Sequence, residues 1–86
     1  MYFVYILKNQ INSLVYIGFT KDLRKRLKEH QQGRSKYVGH RGKWELIYYE
    51  AYKSMKDAIV REKMLKNYGS SLGHLKKRIK FSLIDI

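Results

Sequence analysis

Apolar side chains occupy both alternating faces of the opening run, with Phe3, Tyr5 and Leu7 on one and Tyr2, Val4 and Ile6 on the other. Aromatic and β-branched residues on both sides of a short segment predict a strand covered by packing on each face. Asn9, Gln10, Ile11, Asn12 and Ser13 supply turn chemistry, and residues 14–17 form a second apolar run before Gly18, so the segment reads as a β-hairpin. With a four-residue loop, 9–12, Lys8 pairs with Ser13 and Tyr5 falls opposite Tyr16 on one face. A loop one residue longer puts the two tyrosines on opposite faces.

Over residues 22–32 the period becomes helical. Leu23 and Leu27 stand at i and i+4, Thr20 or Asp22 is placed to cap the start, and Gly33 marks the stop. Arg26 and His30 share the i, i+4 spacing and fall with the two leucines within an arc of roughly 100°. The plain reading has Arg26 snorkelling from the core edge and His30 capping the helix C-terminus. Residues 44–51 return to a strand pattern, with Trp44, Leu46 and Tyr48 on one side and Ile47, Tyr49 and Ala51 on the other. Ser54 and Asp57 make a capping-box-like start to a long helix from Met55 to about Tyr68, closed by Gly69. Leu72, Leu75 and Ile79 then predict a third, short helix. The expected fold is α+β, a three-stranded antiparallel sheet flanked by about three helices.

On the long helix the apolar side is Met55, Ala58, Ile59, Leu65 and Tyr68, and Glu62 sits in the middle of it. A carboxylate there must be ion-paired, protonated or holding a cation, because an isolated buried charge costs several kcal/mol. The structural alternative is a pair with Arg26 or a neighbouring Lys.

Length and charge narrow the partners. The 86 residues suffice for one modest core and a single domain over 1–86, with no repeat, linker or proline. With 19 Lys and Arg against 7 Asp and Glu, the formal net charge is +12, so phosphate-rich partners are expected. No stretch approaches the ~20 apolar residues that span a bilayer. The opening MYFVYILK lacks the basic start of a signal peptide, and there is no cysteine; the expectation is a cytoplasmic protein without membrane partners. Residues 33–43 combine three glycines with Arg34, Lys36, Arg41, Lys43, Tyr37 and His40. A basic, glycine-rich loop bearing an aromatic ring suits backbone contact and base stacking, although many such loops are merely solvated.

Taken together, Val4-Tyr5 in the first strand, Tyr16-Ile17-Gly18 in the second, Arg26-x-x-x-His30 on the first helix and Glu62 in Arg61-Glu62-Lys63 resemble the elements of the GIY-YIG nucleases. The likeness runs from Tyr2 to about Tyr68 and is to the small stand-alone bacterial members, related to the nuclease domain of the excision-repair incision subunit. Three departures stand out. Phe3 occupies the place of the GIY glycine, Phe19 follows Gly18 where some relatives carry Lys, and a late family Asn has no counterpart, Asn67 and His74 both fitting poorly by position.

The resemblance implies a metal-dependent endonuclease hydrolysing phosphodiester bonds, with DNA the expected substrate and DNA repair a candidate setting. It implies catalytic residues Tyr5, Tyr16, Arg26, His30 and Glu62. Glu62 would be the ligand of Mg²⁺ or Mn²⁺, a cation that takes much of its shell from water and phosphate. Arg26 would hold the scissile phosphate, one of the tyrosines would orient or deprotonate water, and His30 would support or relay the proton. Arg34, Lys36, Tyr37, Arg41 and Lys43 would bind nucleic acid, and a protein partner or homodimer is compatible with the small size. Two other classes compete: a basic nucleic-acid-binding module of the same fold that cuts nothing, and a zinc domain, against which the three histidines at 30, 40 and 74 show no ligand spacing.

Overall fold

A computed structural model describes residues 1–12, 14–31 and 44–84. Three strands, β1 (Tyr2–Asn9), β2 (Val15–Thr20) and β3 (Trp44–Tyr52), form one antiparallel sheet in the order β2-β1-β3. The four helices are α1 (Leu23–Gln31), α2 (Met55–Asn67), α3 (Gly69–Arg78) and α4 (Lys80–Ile84). The class is α+β, as the pattern predicts. No helix among the described residues is long and apolar enough to cross a membrane.

The two-sided apolar pattern of β1 follows from its central place. Val4 and Ile6 join Ile17, Ala58, Leu65 and Leu75 in one buried cluster under α2 and α3. Tyr5 and Leu7 point the other way, against Tyr16, Leu23, Leu27, Trp44 and Leu46 under α1. The sheet is thus covered on both faces, which is why neither set of alternating positions on β1 is polar.

The hairpin register differs from the expected one. Pairing ends at Lys8↔Val15, leaving six residues between the last paired positions, and Tyr5 faces Gly18 while Tyr16 faces Leu7. Asn9 accounts for the longer turn: its side-chain oxygen accepts from the amides of Ile11 (2.8 Å) and Asn12 (3.2 Å), and its own amide donates to the Leu14 carbonyl. A shift of two residues preserves the face, so Tyr5 and Tyr16 become diagonal neighbours instead of direct partners.

Strand β3 departs from simple alternation at a bulge. Ile6 pairs with Tyr48 but Leu7 pairs with Leu46, so Ile47 is the extra residue. Trp44 and Leu46 therefore pack under α1, while Tyr48 turns to the α2 side with Ile47. The expected grouping of Trp44, Leu46 and Tyr48 on one face fails for that reason.

Helix α1 is capped as read: Asp22 Oδ1 accepts from the Lys25 amide at 3.1 Å, and Thr20 Oγ1 accepts from the Asp22 amide. At the start of α2, Ser54 takes the extended N-cap conformation but makes no side-chain cap bond. The buried side of α2 is narrower than its apolar composition implies, since Ala58 and Leu65 are buried whereas Met55 and Tyr68 are exposed. Tyr68, extended at φ −119° and ψ 99°, closes α2 and opens α3, so Gly69 begins a helix instead of ending one. The predicted short third helix is divided at Ile79, and α4 is tied back to the sheet by Lys8 Nζ, which donates to the Leu83 carbonyl.

Between Ala58 and Leu65 the inward face of α2 carries Arg61, and its partner is Glu50 on β3. The guanidinium donates through Nε and Nη2 to the two carboxylate oxygens at 2.9 and 3.0 Å. Tyr48 and Tyr52, two residues to either side on the same strand face, donate their hydroxyls to the same carboxylate. Burial alone would raise the Glu50 pKa, but the hydrogen bonds from Arg61, Tyr48 and Tyr52 hold it below the usual carboxylate value. Because the folded pKa lies below the unfolded one, this stabilisation is present above the unfolded carboxylate range and is lost as pH falls through the folded pKa. Glu50→Gln should lower stability by about 2–3 kcal/mol at neutral pH, the scale of hydrogen bonds to a charged group, and by less in acid. Urea denaturation at pH 7 and pH 4 checks this; an equal loss at both pH values contradicts the assignment.

Candidate active site

Tyr5 and His30 meet beneath α1. Tyr5 projects from the middle of the central strand, His30 comes from the last turn of the helix, and the Tyr5 hydroxyl lies 2.9 Å from His30 Nε2. Both side chains are buried. Tyr16 completes a cluster of three rings, its centroid 6.2 Å from that of Tyr5 and 5.5 Å from that of His30. The expectation that His30 caps the helix end gives way to this contact, because the imidazole turns inward to the phenol.

Gly18 makes the cluster possible. It stands opposite Tyr5 across the hairpin, and a Cβ there would lie 2.4 Å from both Cζ and the hydroxyl oxygen of Tyr5. Any larger residue would push the phenol away from His30. The Tyr-Ile-Gly order on β2 thus has a steric meaning: the tyrosine contributes a ring and the glycine clears the path for another.

Charge sets the protonation states. Burial is the largest influence on Tyr5 and pushes its phenol well up; the Tyr16 hydroxyl adds to this, Arg26 opposes it, and Glu62 adds a smaller upward push. His30 is pulled down by burial and then by the positive charge of Arg26, with Glu29 partly opposing. At neutral pH the pair is therefore a neutral phenol beside a neutral imidazole. With Tyr5 as the donor, His30 accepts at Nε2 and carries its own proton on Nδ1, an atom that has no partner among the described residues.

Arg26 and Glu62 stand on different helices, α1 and α2. Arg26 is partly exposed, 3.7 Å from Glu29 in a loose pair of the kind that contributes little, and its guanidinium lines a cleft of about 380 Å³ with Phe19, Thr20 and Lys25. Glu62 is one-fifth exposed, and its Oε2 lies 3.2 Å from Lys66 Nζ, one turn along α2. The pair with a neighbouring Lys is thus the one that forms, so the position of Glu62 on the helix does not by itself demand a cation. Both charges nevertheless act on Tyr5.

Of the five residues named from sequence, Tyr5, Tyr16 and His30 come together in one cluster, while Arg26 and Glu62 reach it through their charge. Arg34, Lys36, Tyr37, Arg41 and Lys43 lie outside the described residues, as does His40. His74 is exposed on α3, and among the described residues no three His, Cys, Asp or Glu side chains converge as a metal site. A donor set of one carboxylate suits a hard cation such as Mg²⁺ or Mn²⁺, which completes its shell with water and substrate phosphate; it does not suit zinc. Two features escaped the sequence reading: the clearance at Gly18 and the Glu50–Arg61 pair beside Glu62. The second had a signal, since Tyr-x-Glu-x-Tyr on a strand puts three hydrogen-bonding groups on one face.

The chain belongs to the GIY-YIG family: residues 1–77 match its catalytic domain. It is thereby of a nuclease-type family whose substrates are nucleic acids. Within that family its relatives are small stand-alone proteins. It is 42% identical over 67 residues to a UPF0213 protein of Clostridium perfringens, covering 77% of this chain and 71% of that one. It is 38% identical over 68 residues to a UPF0213 protein of Staphylococcus aureus, covering 78% and 82%. The solution NMR structure of the UPF0213 protein BH0048 from Bacillus halodurans is similar with a TM-score of 0.49 and 32% identity, covering 99% of this chain and 84% of that one.

Two outcomes are expected at the cluster. Gly18→Ala should destabilise the fold by roughly 1–3 kcal/mol, the cost of overpacking, and displace Tyr5; thermal unfolding and the His30 imidazole resonances report both, and an unmoved His30 contradicts the steric role. The folded pKa of His30 lies below its unfolded value, so the unfolded state takes up the proton first and stability should fall as pH drops below about 6.5. Replacing His30 with Gln should remove that dependence from the unfolding curves.

Proposed function

We propose that this chain is a metal-dependent endonuclease that hydrolyses phosphodiester bonds in nucleic acid, with DNA as substrate and Tyr5, Tyr16, Arg26, His30 and Glu62 as its catalytic residues. The observation that carries the reading is the hydrogen bond between Tyr5 and His30 with the Tyr16 ring against both; the charges of Arg26 and Glu62 both act on that phenol.

The buried phenol of Tyr5, its pKa pushed up, is a poor base by itself. Tyr16, whose ring is only partly buried, is the tyrosine placed to meet water. A proton leaving the attacking water passes toward Tyr16 and Tyr5 and is accepted at Nε2 of neutral His30. Arg26, on the wall of the cleft, holds the non-bridging phosphate oxygens with its planar fork and offsets the charge that builds on them. Glu62 would hold Mg²⁺ or Mn²⁺, which when bound supplies Lewis-acid polarisation of the phosphate. Lys66, its partner in the structure, would give way to the cation.

The test is cleavage of branched and single-stranded DNA with and without Mg²⁺. Glu62→Gln should abolish cutting. Arg26→Ala should slow it by on the order of 10²–10³-fold, and Arg26→Lys should recover only part of that, because an ammonium lacks the fork. A wild-type protein that binds but never cuts would show the non-catalytic binding module instead, and two variants cutting as well as wild type would remove these residues from the mechanism.

A further inference from the structure

On the same sheet face as Tyr5, but toward the β3 edge, lies a second cleft of about 340 Å³ lined by Phe3, Tyr49, Leu23, Leu27 and Arg24. Tyr49 is the direct register partner of Tyr5 on β3, so the cleft adjoins the candidate catalytic cluster across one strand spacing. Its walls are apolar apart from the guanidinium. Two of them are aromatic, and the Phe3 and Tyr49 rings meet edge to face at 5.9 Å and 64°. That contact fixes the Tyr49 ring although the residue is 52% exposed.

A rigid, half-exposed aromatic ring is unusual beside a site for a highly charged polymer, unless the polymer offers something flat and apolar. A base in a duplex has both faces stacked and unavailable, whereas an unpaired base exposes them. We propose that this cleft is a stacking subsite for one unpaired nucleobase, which packs on the Tyr49 ring between Leu23 and Leu27, with Arg24 holding the adjoining phosphate. Phe3 supplies the back wall, and it stands where the family motif has glycine. The proposal rests on the nuclease reading for the placement of the scissile bond and deepens it by naming the substrate class: nucleic acid with an unpaired nucleotide beside the bond that is cut. Stacking tolerates every base, so preference follows strand structure and not sequence.

The experiment is binding in the presence of chelator, where no cleavage is needed. Affinities are measured for oligothymidylate, for a forked duplex with one single-stranded arm, and for a blunt duplex, with oligouridylate as the RNA counterpart; 2-aminopurine in the arm reports stacking by its quenched fluorescence. Tyr49→Ala should weaken the single strand and the fork by roughly 5- to 100-fold, as loss of one stacked base does, and abolish the quenching, while blunt-duplex affinity stays unchanged. Tyr49→Trp should retain both. Tyr49→Leu, which keeps an apolar contact for Phe3, should behave like Tyr49→Ala while preserving the unfolding midpoint, and this separates stacking from folding. Arg24→Ala should reduce the salt dependence by about one phosphate. Tighter binding of the deoxy or the ribo strand identifies the sugar the subsite accepts. Equal losses on all substrates, or none, overturn the subsite. A protein that cuts normally but ignores Tyr49 overturns it alone, and one that never cuts but stacks the probe through Tyr49 overturns only the nuclease reading.

Discussion

Burial of β1 on both faces is the constraint from which the rest follows. An eight-residue strand at the centre of the sheet sends Val4 and Ile6 into one layer and Tyr5 and Leu7 into the other, so α1 and α2 must take opposite sides. The phenol of Tyr5 is part of that packing and also its polar exception. A hydroxyl carried into an apolar layer needs a partner, and the nearest turn of α1 provides it in His30. Gly18 gives the ring room to reach that partner. The cluster of Tyr5, Tyr16 and His30 is therefore assembled by the demands of the core.

The Glu50–Arg61 pair plays the corresponding part on the other side. Arg61 and Glu62 are consecutive on α2, about 100° apart around the helix axis. Once the guanidinium is fixed to the β3 carboxylate by two hydrogen bonds, the rotation of α2 is set, and with it the direction in which Glu62 leaves the helix. Surface pairs are weak constraints, but this one is largely buried and shared with two tyrosine hydroxyls, so it fixes orientation as well as adding stability.

Much of this was legible in the sequence, and the shortfalls have local causes. The two-sided pattern of β1, the Asp22 cap of α1 and the presence of three strands all follow from side-chain type and period. The hairpin register does not, because it depends on Asn9 satisfying two loop amides, which adds two residues to the turn. The faces of β3 were misread at Ile47, since a bulge leaves no trace in an apolar run. On α2, composition overstated the buried face: Met55 and Tyr68 are apolar but lie beyond the reach of the sheet, while Arg61 lies within it. Glu62 was recognised by type and spacing, yet its partner Lys66 shows that such an oddity in a helical stripe can be met by an ordinary ion pair.

The bulge at Ile47 has a consequence for how a chain like this can vary. It separates Trp44 and Leu46, which serve the α1 layer, from Tyr48, Glu50 and Tyr52, which serve the α2 layer. A residue gained or lost before Trp44 would leave both allegiances intact, whereas one gained or lost between Leu46 and Tyr48 would exchange them. The strand behaves as two short rulers joined end to end. A change of chain length ahead of Trp44 would therefore leave undisturbed the frame that holds the phenol and the imidazole together.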